Sequence, residues 1–229
     1  AASDVYKRQN EYLKNEIIQK IVAKNITPKI LFHDLHSGLI IYEYFEKDSS
    51  DKLFNNFYQL GKKLKELHEI TSNKKIKTFE DQFNLYLNVS SSELDNKYFN
   101  DAVDLFDELN VSKENYVLSH NDLNSSNVMF KNNKIVFIDF EYLSINSKYS
   151  DLSKLIDSLN LKTLEKNKLL EGYGVDEIND NINIKIKKWS LMNIYTELIW
   201  ANYINEYKRN YFDKDYINLL KNKIKQQKQ

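Results

Sequence analysis

The chain of 229 residues has no cysteine, one proline and four glycines. Without cysteine there can be no disulfide framework and no thiolate metal site. The four histidines, at 33, 36, 68 and 120, are too scattered to suggest a zinc centre. No stretch of about eighteen apolar residues could cross a bilayer and no signal-peptide pattern opens the chain, so the expectation is a soluble cytoplasmic protein. The 33 basic and 33 acidic side chains cancel, which removes any bulk-charge argument for nucleic acid or an anionic membrane as partner. The length suits one large domain, or one lobe plus part of another. Asparagine, by contrast, is abundant: its 29 copies, with many Lys and Ile, point to an AT-rich genome and make composition a poor guide to function.

The most informative stretch runs from Tyr116 to Asp151, YVLSHNDLNSSNVMFKNNKIVFIDFEYLSINSKYSD. Apolar runs at 116–118 and 128–130 flank a polar loop, and a third at 135–138 follows Asn132-Asn133, a pair that tolerates the positive φ of a two-residue hairpin turn. The loop carries His120, Asp122 and Asn127, and Asp139 follows the hairpin's second strand. Asp122 and Asn127 are five apart, the spacing of a kinase catalytic loop, in which the Asp accepts the proton of the attacking hydroxyl and the Asn holds a metal. Phosphoryl transfer needs the protein mainly to aim a nucleophile and to neutralise phosphate charge through Mg²⁺. Taken alone, H-x-D-x4-N is also what a turn looks like when Asp and Asn cap their own backbone.

IDFEY at 138–142 shifts the balance. HNDLNSSN followed at this distance by IDFEY closely resembles the choline and ethanolamine kinases and their bacterial relatives, within the wider aminoglycoside phosphotransferase-like group. Asn121, where the antibiotic kinases commonly have Gly, and Glu141-Tyr142 after the metal-holding Asp favour the choline/ethanolamine branch. The resemblance implies an α+β, protein-kinase-like fold with a partial small lobe and a mainly helical large lobe. It implies ATP and Mg²⁺ as cofactors and a small cationic amino alcohol as acceptor. Asp122 would be the catalytic base, with Asn127 and Asp139 on the metal. His120, Glu141 and Asp151 would be supporting residues. Asp151 reads either as a helix N-cap or as a group that steadies the loop.

The rest of the chain divides accordingly. Residues 1–9, AASDVYKRQ, read as non-native, because DVYKRQ is one translated frame of a common transposon sequencing adaptor. Residues 10–47 read as a partial nucleotide lobe and hinge: a helix over 10–24 ended by Pro28, two strands around His36-Ser37-Gly38, and a hinge at Glu43, Tyr44 and Phe45 whose backbone would meet adenine. No phosphate-covering loop and no strand Lys precede Asn10, and neither Glu11 nor Glu16 fits well as the carboxylate such a Lys would pair with. The chain therefore resembles a kinase lacking the front of its nucleotide lobe.

Residues 48–229 read as the catalytic and substrate lobe. Helices are expected over 50–70, over 79–109 with a break near 90–92, over 163–173 stopped by Gly172 and Gly174, over 183–205, and over 213–226. His68 is expected to pack or cap, and residues 142–151 to be irregular up to a helix opening at Asp151. Trp200 and Tyr203, three apart on one helix, read as core packing or, by the resemblance, as a pair that cups a quaternary ammonium. Tyr142 and Tyr216 are further candidate walls, with Asp157 and Asn124 as polar substrate contacts. Three rivals stand beside this assignment: an aminoglycoside phosphotransferase, an inactive fragment that does not bind ATP, and a plain helical scaffold. Choice of amino alcohol and oligomeric state are left open.

Overall fold

The computed structural model describes residues 15–34, 39–45, 56–72, 75–90, 96–110, 116–131, 133–208 and 211–228. The adaptor-like segment, Glu11, the 36–38 turn and the 47/48 lobe division lie outside them.

Helix α1 (Asn15–Ala23) buries Ile17, Ile18 and Ile21 on one face. Its chain reverses at Asn25, which takes φ 51°. Strands β1 (Ile30–Asp34) and β2 (Leu39–Tyr42) pair antiparallel with an irregularity between Ile30 and Phe32.

Helix α2 (Phe57–His68) buries Phe57, Leu60, Leu64 and Leu67, the three-and-four spacing of a single apolar stripe. Leu53, expected in the same helix, is outside the described residues. Helices α3 (Phe79–Ser90) and α4 (Asn96–Asn110) come next, and residues 91 and 92 of the break expected near 90–92 lie outside the described residues. Strands β3 (Tyr116–Ser119), β4 (Val128–Lys131), β5 (Lys134–Phe137) and β6 (Ser144–Ser147) follow, then helices α5 (Lys148–Ser158), α6 (Thr163–Tyr173), α7 (Asp180–Tyr207) and α8 (Lys214–Gln227).

Three differences from the sequence reading matter for the site. First, the segment 142–151, expected to be irregular, supplies a strand, β6, that pairs antiparallel with β3, Tyr116 opposite Ser147 and Ser119 opposite Ser144. A 3₁₀ turn at Phe140–Tyr142 precedes that strand. Second, α5 begins at Lys148, where the Ser147 hydroxyl accepts from the Tyr149 N–H at 3.4 Å. Asp151 thus sits in the first turn instead of capping it, and its carboxylate is spent elsewhere. Third, Gly172 lies inside α6 and does not stop it. A Cβ at Gly172 would fall 1.9 Å from the Tyr58 carbonyl oxygen, and one at Gly61 would fall 2.1 Å from that of Leu169. Glycine at both positions lets α2 and α6 meet backbone to backbone. Gly174 alone ends α6, at φ 91°.

The long α7 buries Trp189, Met192, Tyr195, Leu198, Ile199 and Tyr203 against the surrounding helices. It forms the spine on which the large lobe is assembled.

Candidate active site

The loop between β3 and β4 is held from beneath by one buried carboxylate. Asp151 accepts from the His120 N–H at 2.7 Å and from the Asn121 N–H at 2.8 Å. It also meets the His68 Nε2 at 2.9 Å, and His68 Nδ1 lies 2.8 Å from the Tyr173 hydroxyl. Burial alone would raise the Asp151 carboxyl, but hydrogen bonding and charge from His68, with His120, outweigh it and hold the group below its ordinary range. His68 is thus packed, as its sequence context implied.

His120 is fully buried. Its Nε2 lies 2.9 Å from the Ile138 carbonyl, which can only accept, so Nε2 carries the proton and Nδ1 accepts the Asp122 N–H at 3.3 Å. The ring packs against Phe140 at 4.8 Å. His120 therefore ties the loop to the end of β5.

Asn121 adopts φ 65°. Its amide nitrogen donates to the Tyr142 carbonyl at 2.9 Å and lies 2.8 Å from Ser144 Oγ, while its oxygen accepts from Asn146 Nδ2 at 2.7 Å. An asparagine serves here because it tolerates the left-handed backbone and also fastens the loop to β6.

These contacts aim three side chains. Asn127, buried, donates from Nδ2 to the Asp122 carbonyl at 2.8 Å and to its Oδ2 at 3.0 Å. Its amide oxygen is left as the atom with ligand chemistry. Asn124 donates to Asp122 Oδ2 at 3.2 Å and accepts from the Ser126 and Asn127 N–H groups at 2.9 and 3.2 Å. The Ile138 N–H donates to the Asn127 carbonyl at 3.1 Å, which draws the start of the Asp139 segment to the loop. Asp139 is exposed and takes φ 67°.

Asp122, Asp139 and Glu141 crowd one another. Burial, with Asp139 adding repulsion, pushes the Asp122 carboxyl up against the pull of Lys154, His120 and Asn124. Burial first, then the charges of Asp139 and Asp122, raises Glu141 to about 7. A cation held near these three carboxylates would relieve that repulsion. Among the described residues no three His, Cys, Asp or Glu side chains form a complete cage. An ion shared with nucleotide phosphates does not need one, since Mg²⁺ is commonly held by one or two carboxylates plus phosphate oxygens.

A cavity of about 730 Å³ opens beside Asp122. Asn124, Tyr142, Asp157, Trp200 and Tyr216, all singled out from the sequence, line it with Asp122. Tyr142 meets Trp200 edge-on with ring centres 6.3 Å apart. Trp200 is tilted against Phe212 at 5.2 Å, and Phe212 stacks on Tyr216 at 4.8 Å. The Asp157 carboxylate accepts from the Ser190 hydroxyl, and partial burial raises it.

Tyr203 does not line this cavity. It is 1 % exposed and packs against Tyr86 and Tyr207, each 5.0 Å away, because the helix turns it toward α3. Glu43, Tyr44 and Phe45 are also away from it. They follow β2, where the Glu43 N–H donates to the Lys29 carbonyl at 2.7 Å and Lys134 Nζ stands 5.9 Å from the Phe45 ring centre. Among the lining residues that escaped the sequence reading are Lys154, Glu197 and Asn193. Lys154 Nζ stands 3.9 Å from Asp122 Oδ1 and 3.5 Å from Glu197 Oε2. The Tyr216 hydroxyl donates to Glu197 Oε1 at 2.6 Å, so Glu197 is engaged through both oxygens. Asn193 holds α5 to α7 by donating to the Ser150 carbonyl at 3.0 Å. Glu197 lies one turn before Trp200, the only sequence signal any of them offered.

A polar loop on a strand end, a hairpin closing on Asp, and a helical lobe built on one long buried helix define the protein-kinase-like fold. Solved structures bear this out. A choline/ethanolamine kinase family protein from Mesorhizobium loti superposes with a TM-score of 0.76 at 15% identity, covering 91% of this chain and 76% of that one. Choline kinase LicA from Streptococcus pneumoniae gives 0.73 at 18% identity, covering 96% and 80%. In sequence, a LicA homologue from Mycoplasma capricolum subsp. capricolum is 25% identical over 223 residues, 94% of this chain and 87% of the relative. Residues 3–157 match the choline/ethanolamine kinase family, and the chain belongs to that family.

Proposed function

We propose that the protein is an ATP-dependent phosphotransferase that moves the γ-phosphoryl group to the hydroxyl of choline or a related small amino alcohol. The observation that carries this is one cavity with the Asp122 carboxylate on its wall together with the rings of Tyr142, Trp200 and Tyr216. A small cationic alcohol has the same two ends. Its ammonium would lie against ring faces, each contact contributing roughly 0.5–2 kcal/mol, and its hydroxyl would reach Asp122. Asp122 takes the hydroxyl proton, and its raised carboxyl suits it to that task.

The Asn127 amide oxygen and the Asp139 carboxylate would hold Mg²⁺, which when bound supplies charge neutralisation at the phosphate oxygens. Glu43, Tyr44 and Phe45 would supply the adenine hinge. Asn124 and Asp157 contribute polar contacts at the acceptor side, while His120, Glu141 and Asp151 hold the loop and its charge. Tyr203, on the buried face of α7, supports that helix by packing against Tyr86. Use of ATP fits a cytoplasmic setting, and among the described residues no helix is long and apolar enough to cross a membrane.

A second reading has one observation in its favour: Asp122, Asp157 and Glu197 put three carboxylates in the cavity, which suits a polycationic aminoglycoside. Against it, Glu197 is already engaged by Lys154 and Tyr216. Phosphorylation assays with choline, ethanolamine and kanamycin side by side separate the two, and calorimetry with ATP and Mg²⁺ tests nucleotide binding. Turnover of choline or ethanolamine is expected. Turnover of kanamycin alone would replace this reading with the second, and no ATP binding would refute both.

A further inference from the structure

We propose that Lys154 is the residue whose ammonium binds the oxygens of the transferred phosphoryl group on the acceptor side. This rests on the phosphotransferase reading above. The ammonium of Lys154 lines the same cavity as Asp122. It stands 3.9 Å from Asp122 Oδ1 and 3.5 Å from Glu197 Oε2, with 22% of its side chain exposed. Neither separation is a close charge-assisted hydrogen bond, which would lie near 2.8 Å. The pair with Asp122 is therefore loose, at the place where the acceptor hydroxyl must sit.

Two anchors fix that position. Lys154 is on α5, one turn beyond Asp151, whose carboxylate carries the backbone of His120 and Asn121. The helix that sets the loop thus also sets the ammonium. From the other side Glu197, pinned by the Tyr216 hydroxyl at 2.6 Å, faces it.

Transfer changes the charges around this ammonium. The acceptor O–H proton passes to the Asp122 carboxylate. The acceptor oxygen bonds to phosphorus as the bond from phosphorus to the β-phosphate oxygen breaks, and that electron pair leaves with ADP. Anionic phosphoryl oxygens arrive next to Lys154, whose 3.9 Å separation from Asp122 leaves the ammonium available to them. The flexible four-carbon stem lets the ammonium exchange one partner for the other. Such a contact is stronger in the transition state and product than in the bound substrate, which is the kind of contact that raises kcat. Without it, the new phosphate ester would face the carboxylates of Glu197 and Asp157 with the ammonium beside them gone.

The test compares wild type with Lys154→Met and Lys154→Arg, using choline and phosphocholine as probes in calorimetry and choline in steady-state assays. Lys154→Met is expected to bind phosphocholine at least tenfold more weakly and choline as well as or better than wild type, since two carboxylates are released. Its kcat should fall at least tenfold with no rise in KM for choline, and Lys154→Arg should recover most of the phosphocholine affinity. A purely structural role would weaken both ligands together. Equal phosphocholine affinity in wild type and Lys154→Met, or a kcat within twofold, overturns the role of Lys154 while leaving the phosphotransferase reading standing. A wild type that phosphorylates none of choline, ethanolamine and kanamycin overturns both. Should Lys154→Met fail to fold by circular dichroism, the ratio of the two affinities in Lys154→Gln decides between the same two outcomes.

Discussion

Removing the Asp151 carboxylate should cost the protein both stability and activity, in a graded order. In Asp151→Ala three donors, the His68 ring and the His120 and Asn121 N–H groups, lose their acceptor in a fully buried place. Each orphaned buried donor costs about 1–3 kcal/mol, and three of them in one network, not fully additive, come to about 3–5 kcal/mol. In a chain of this size each kcal/mol lowers Tm by roughly 2–4 °C, so a fall on the order of 6–20 °C is expected. Asp151→Asn should be milder. His68 can shift its proton to Nδ1, donate to the Tyr173 hydroxyl and accept from the introduced amide, but one backbone N–H must then face an NH₂ group, a loss of about 1–3 kcal/mol. The native carboxyl is held below its ordinary range, so its contribution is complete above the unfolded value of about 3.9 and disappears as pH falls through the lower folded value. The gap between wild type and Asp151→Asn should therefore close only in strong acid. Thermal unfolding followed by far-ultraviolet circular dichroism across pH, with turnover measured in parallel, is the assay. A Tm within 2 °C of wild type for Asp151→Ala would show that the loop does not hang on this group.

Three further outcomes are expected. Asp122→Asn should abolish most phosphorylation while leaving the unfolding midpoint within a few degrees of wild type, and retained turnover would refute its role as base. In a carboxyl NMR titration one glutamate, Glu141, should titrate near 7 and shift downward when Mg²⁺ is added; ordinary midpoints for every glutamate would contradict the crowding with Asp139 and Asp122. Gly172→Ala places a Cβ 1.9 Å from Tyr58 O and 2.7 Å from its carbonyl carbon, both backbone atoms that cannot step aside. It should cost at least about 1–3 kcal/mol in chemical denaturation, and a loss under about 0.5 kcal/mol would refute the backbone contact.

What could be read in advance follows from what leaves a local trace. The spacing of Asp122, Asn127 and Asp139 is visible because one loop and one hairpin carry all three, and the hairpin turn is visible because Asn133 needs its positive φ. The apolar stripe of α2 is likewise a property of consecutive residues. Strand β6 left no trace because Ser-Ile-Asn-Ser buries polar side chains that are satisfied only by partners far away, such as Asn146 on Asn121. Tyr203 was placed beside Trp200 because residues three apart differ by about 60° around a helix. On α7, buried on several sides, that arc separates the cavity from the core. Lys154 and Glu197 meet only once α5 and α7 pack together, so no stretch of sequence announces them. Gly172 looked like a helix stop because glycine's second use, close approach, depends on what lies opposite.

Every non-glycine residue with positive φ among those described is Asn or Asp: Asn25, Asn121, Asn133, Asp139 and Asn160, with φ from 51° to 67°. Two of these flank the candidate chemistry, and there the backbone screens replacements before their chemistry is felt. At 139, alanine would remove a charge and also add a conformational penalty of about 1–2 kcal/mol that asparagine, equally uncharged, largely avoids. An alanine scan would therefore exaggerate the electrostatic importance of this carboxylate, whereas the isosteric amide isolates it. At 121 glycine would keep the corner and lose only the fastening to β6, so the pair Asn121→Gly and Asn121→Ala separates shape from tether.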